Sequence, residues 1–100
     1  MPTLRVDLQE GFRDDTVIVR VDGSEAARKT GVTTRPSAGV AESFEVQTAK
    51  DEASIEIEVP TRKQSASAEL RVSQHPYLGV FFEADGKLAV RPSAELFRYM

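Results

Sequence analysis

Apolar and polar residues alternate with a period of two along most of this chain, the spacing that sends successive side chains to opposite faces of an extended strand. Leu4, Val6 and Leu8 alternate with Arg5, Asp7 and Gln9 until Glu10-Gly11 breaks the run. Val17, Val19 and Val21 point inward from a second strand, Thr16 to Asp22, and Asp22-Gly23-Ser24 turns the chain after it. Glu25 to Lys29 has some helical propensity, but so short a segment does not sustain an isolated helix, so a third, irregular edge strand running to Thr34 is expected. Arg35-Pro36-Ser37-Ala38-Gly39 reads as a turn, and Val40 to Thr48 as a fourth strand with Phe44 and Val46 on one face.

Ala53, Ile55, Ile57 and Val59 then alternate with Ser54, Glu56 and Glu58 until Pro60 ends the ladder. A helix would scatter those β-branched residues around its circumference. Ala66, Ala68, Leu70 and Val72 repeat the pattern after an exposed loop over residues 61–65, and His75-Pro76 punctuates before the next strand. Tyr77 to Val90 reads as two apolar strands joined by Asp85-Gly86, a two-residue hairpin that pairs Phe81 with Val90 and Phe82 with Ala89. Ser93 to Met100 suggests a short last strand, with Phe97 and Tyr99 on one side and Leu96, Arg98 and Met100 on the other. Short strands, frequent turns and no credible helix predict an all-β fold: an antiparallel β-sandwich of about seven to nine short strands, prealbumin-like or immunoglobulin-like in topology.

The hairpin carries bulky residues on both faces, which is unusual for a sheet with one wet side. Tyr77, Phe81, Leu88 and Val90 form one stripe, suited to the core; Leu78, Val80 and Phe82 with Ala89 form its reverse and need a second cover. Two covers are open. Either this chain's own tail, through Leu96 and Met100, or a curled sheet buries the stripe, or the stripe is a contact surface for another protein or a second copy. In the latter case Leu78, Val80, Phe82 and Ala89, with Arg91 at the rim, are the interface.

With 100 residues the chain fits one domain spanning its whole length. It has no cysteine, which excludes disulfides, thiolate metal sites and cysteine nucleophiles. Sixteen acids against 13 bases, interspersed, give a charge of -3 and no footprint for a phosphate backbone, so nucleic acid is not an expected partner. Met1 to Asp7 lacks the basic flank and apolar stretch of a signal peptide, and no run reaches membrane-spanning length. No membrane association is expected. The cytosol is the default compartment, an excised mature domain of an exported protein the alternative. Without asparagine, N-glycosylation is impossible.

Candidate chemistry is sparse. Arg35-Pro36-Ser37-Ala38 recurs as Arg91-Pro92-Ser93-Ala94, which common turn chemistry explains better than duplication, since the flanks differ. His75 is the sole histidine; Ser73 lies two residues from it, but no third group can be named to orient the ring, which disfavours a serine hydrolase. Asp14-Asp15 and Asp51-Glu52 supply oxygen ligands of the type calcium prefers, without the spaced pattern of a calcium loop. Glu56 and Glu58 share a strand face and read as wet surface. Gly23, Gly31, Gly39 and Gly79 are too scattered for a phosphate loop. No catalytic, cofactor-binding or metal-ligating residue is assigned.

The order Val17-Ile18-Val19-Arg20-Val21-Asp22-Gly23, then Gly31-Val32-Thr33-Thr34, then Gly39 to Val46 resembles the first half of a prealbumin-like (transthyretin-like) sandwich module. In accessory modules of that kind the sandwich is a structural or interaction element. The resemblance thus implies a noncatalytic module acting through protein contact, with a protein partner or homo-oligomer. The alternative is a small-ligand or carbohydrate carrier, with a pocket between the sheets or near Asp22-Gly23 and Pro36. A small ligand is the lesser expectation.

Overall fold

A computed structural model of the chain describes residues 2–98. Eight strands follow the predicted pattern: β1 (Thr3–Leu8), β2 (Asp15–Val21), β3 (Ser24–Val32), β4 (Glu42–Gln47), β5 (Glu52–Val59), β6 (Gln64–Arg71), β7 (Tyr77–Phe82) and β8 (Leu88–Ser93). They form two four-stranded sheets, ordered β4-β1-β7-β8 and β3-β2-β5-β6. The fold is an all-β sandwich. All pairings are antiparallel but one: β1 runs parallel to β7, with Arg5 opposite Tyr77 and Leu8 opposite Val80.

Alternation decides the core. Leu4, Val6 and Leu8 of β1, Val17 and Val19 of β2, and Ile55, Ile57 and Val59 of β5 are sealed between the sheets. Each contributes about 1.5–3 kcal/mol by leaving water. Their odd-numbered or even-numbered neighbours face out. Ile18 and Asp7 are exceptions, on the outer faces of their sheets yet buried; Ile18 lies between register partners Arg28 on β3 and Glu58 on β5, whose long stems can cover it.

Two turns built on Asp-Gly differ. Asp22 and Gly23 both take left-handed backbone (φ 50° and 86°), giving the two-residue loop that pairs Val21 with Ser24. At Asp85-Gly86 only the glycine is left-handed (φ 87°). The Gly86 N–H donates to the Glu83 carbonyl and the Glu83 N–H to the Lys87 carbonyl, so the loop holds three residues, Ala84 to Gly86. The expected hairpin register is therefore off by one: Phe81 pairs with Ala89, Phe82 with Leu88 and Val80 with Val90. The reason is burial. This register puts Leu88 and Val90 on the same face as Phe82 and Val80, so one face collects nearly all the large apolar residues.

Three further expectations change. Residues 61–65 are not a fully exposed loop: Pro60–Arg62 forms a 3-10 turn, Lys63 follows in left-handed conformation, and Gln64 already belongs to β6. The second Arg-Pro-Ser-Ala copy is not a turn, because Arg91, Pro92 and Ser93 lie in β8, an edge strand whose outward side does not need the N–H that Pro92 lacks. Last, residues 94–98 contain no strand, and Tyr99 and Met100 lie outside the described residues.

The open sides of the sandwich are closed by polar side chains. On one, the Lys29 ammonium stands 5.0 Å from the centre of the Phe44 ring on β4 and 3.5 Å from Glu42. On the other, the Gln64 amide donates to the Gly86 carbonyl (2.7 Å) and accepts from the Leu88 N–H (2.8 Å). No helix among the described residues is long and apolar enough to cross a membrane.

Candidate functional site

Within β7 the two rows exchange roles relative to expectation, Leu78, Val80 and Phe82 facing in and Tyr77 and Phe81 out, while Leu88 and Val90 of β8 stay on the core side as expected. Leu78, Val80 and Phe82 lie in the core, at most 7% exposed, covered by the chain's own second sheet. As an interface they are therefore excluded. Ala89 and Arg91 stay on the outer face, where they join Tyr77 and Phe81; the Arg91 guanidinium lies 5.5 Å from the Phe81 ring centre. The cover comes from the facing sheet, and Leu96, expected to provide it, is 51% exposed.

The tail instead reaches the outer face. Ser93 turns it there, its hydroxyl donating to the Glu95 carbonyl (2.8 Å) and accepting from the Glu95 N–H (3.1 Å). Arg98 then borders two open depressions. One, of about 390 Å3, lies between Tyr77 and residues 94–96; the other, of about 510 Å3, is framed by Phe81, Arg91, Phe97, Pro36 and Glu10. Asp7, also on this face, is only 1% exposed and pairs with Arg5 at 3.2 Å.

The opposite outer face, of β3-β2-β5-β6, is a web of ion pairs. Arg20 bridges Glu56 (3.1 Å) and Glu58 (2.7 Å), Arg28 pairs with Glu25 (2.8 Å), and Arg71 with Glu52 (2.6 Å). Glu56 and Glu58 are thus a wet, salt-bridged surface, as their spacing implied.

The remaining candidates hold structure together. Asp15 is buried and accepts from the Arg13 N–H (2.8 Å), the Thr61 hydroxyl (2.7 Å) and the Arg62 guanidinium (2.9 Å and 3.2 Å). Arg62 also donates to the Gly11 carbonyl (2.5 Å) and lies 4.1 Å from the centre of the Phe82 ring, which meets Phe12 edge-on at 5.0 Å. Burial pushes the Asp15 carboxyl up, but the hydrogen bonds from Arg13, Arg62 and Thr61, with the guanidinium charge, outweigh it and hold it below its ordinary value. Sequence reasoning missed Arg62, since a lone arginine in a loop gives no local sign of a buried partner 47 residues away.

Asp51 accepts from the Ser73 N–H and hydroxyl, both at 2.8 Å, and these bonds hold its carboxyl below the usual range. The Ser73 proton is therefore directed at a carboxylate, and no hydrogen bond joins Ser73 to His75 among the described residues. A depression of about 560 Å3 beside His75 is bordered by Glu52, Ser54, Glu69 and Arg71, a mixed and solvated set. Among the described residues no cluster of three or more histidine or carboxylate groups is placed to hold a metal ion. No family model, curated protein or solved structure matches this chain.

Proposed function

We propose that this chain is a noncatalytic sandwich module, prealbumin-like in kind, that works by protein contact at the outer face of β7 and β8, with a partner protein or a second copy. The contrast between the two outer faces carries the reading. One is occupied by ion pairs, whereas Tyr77, Phe81 and Ala89 give the other an aromatic, apolar character with Arg91 beside them. Aromatic residues and arginine are the types that dominate contact energetics. The resemblance of the first half to accessory modules that serve as interaction elements supports the same reading. A carrier with its pocket between the sheets has no comparable support, because Leu4, Val6, Ile55, Ile57 and Leu78 fill that space.

A photo-crosslinking residue in place of Ala89 tests this, with one in place of Ser67 on the outer face of β6 as control. In cells, adducts to protein are expected to concentrate at Ala89→crosslinker. Equal yields at the two positions, or none at either, would sink the contact reading.

A further inference from the structure

Charge is distributed unevenly on this acidic chain. Seven ion pairs are formed among the described residues, and Arg91 and Arg98 take part in none of them. Both residues line the same depression of about 510 Å3, with Phe81, Phe97 and Pro36. Arg35, next to Pro36 and exposed, likewise joins none of those pairs. Among the described residues lining that depression, Glu10 is the one acid. The Arg91 guanidinium carbon stands 5.5 Å from the Phe81 ring centre, within cation–π range, and a guanidinium so placed can also bind a carboxylate.

We infer that this groove takes an extended acidic peptide segment carrying an aromatic or bulky aliphatic side chain. The carboxylates would meet Arg91 and Arg98, and the apolar side chain would lie against Phe81, Phe97 and Pro36. Elsewhere on the molecule such a segment finds less. The face around Arg20 presents guanidinium groups already matched by Glu56, Glu58 and Glu25, and the depression beside His75 is rimmed by Glu52 and Glu69. The net charge of -3 repels an acidic chain in general, so binding at this groove depends on the local pair of arginines.

The inference rests on the contact reading and names the chemistry of the partner. The test is an NMR titration of the full 15N-labelled chain with a short peptide of alternating Glu and Phe. Saturable amide shifts are expected at Phe81, Ala89, Arg91 and Phe97, weakening with added salt. The double variant Arg91→Glu with Arg98→Glu should bind at least about tenfold more weakly with amide dispersion unchanged. Should that variant not fold, Arg98→Glu alone, in the strand-free tail, should weaken binding in the same direction. A peptide of alternating Lys and Phe that binds as well would overturn the inference, as would phenylacetate binding as tightly as the peptide, shifts centred on another surface, or no saturation. If the acidic peptide fails while crosslinking at position 89 succeeds, the contact face stands and its proposed partner chemistry is wrong.

Discussion

Arg62 shows how much one side chain can hold. It neutralises buried Asp15, binds the Gly11 carbonyl and covers the Phe82 ring, linking the 3-10 turn to both sheets. Removing it leaves a carboxylate buried with only the Arg13 N–H and the Thr61 hydroxyl, so Arg62→Ala should cost about 3 kcal/mol in urea unfolding. The Asp15 carboxyl, held below its ordinary 3.8, adds stability that is complete above about pH 4 and is lost as pH falls through the folded value. Wild-type stability should therefore drop on that acid limb, and Asp15→Asn should be less stable at neutral pH with a flatter limb. Two glycines give a sharper comparison. Gly11 has φ +93°, and a Cβ there would come within 2.6 Å of the Phe82 Cβ; at Gly86, φ +87°, a Cβ meets nothing within 4 Å. Gly86→Ala should cost about 1 kcal/mol, for backbone strain alone, and Gly11→Ala clearly more, both read from thermal melts. Neither distinction is legible in the chain, where each is a glycine beside an acidic residue.

The β7–β8 hairpin is the plainest element in the sequence, yet the two rows of β7 face opposite to expectation, while Leu88 and Val90 of β8 lie on the core side as expected. Its strands, its turn and its amphipathic ambiguity follow from local pattern; its register follows from the facing sheet. One extra loop residue moves Leu88 and Val90 to the side of Phe82 and Val80. Leu78→Ala should accordingly cost about 3 kcal/mol, since it opens a cavity in a sealed core, while Phe81→Ala on the outer face should cost distinctly less. Phe82→Asp should unfold the domain rather than dissociate an assembly, which circular dichroism and sedimentation separate. The repeated Arg-Pro-Ser-Ala tetrapeptide teaches the same lesson. At residues 35–38 the Arg35 carbonyl accepts from the Ala38 and Gly39 N–H groups in a turn, whereas Arg91, Pro92 and Ser93 of the second copy extend along β8. A tetrapeptide does not hold its own conformation against a sheet that can pair with it.

The molecule as a whole is tied by its most distant pairing, the parallel ladder of β1 with β7, which places β1 at the centre of its sheet. A fragment ending at Pro76 should therefore lack dispersed amide resonances, because β1 loses a neighbour and Leu4, Val6 and Leu8 lose the apolar row beside them. A fragment that gave a folded spectrum would show that the remaining six strands close a core unaided. The approximate positions of the eight strands, the inward rows of β1, β2 and β5, and the lack of an α-helix among the described residues are readable from alternation, because that pattern is a property of neighbours in the chain. The side of the last hairpin that faces inward, the course of residues 94–98 over the outer face, and the meeting of Arg91, Arg98 and Phe81 depend on register and on contacts between remote segments. Only the packing of one sheet on the other sets those, since it alone decides which of two apolar stripes leaves the water.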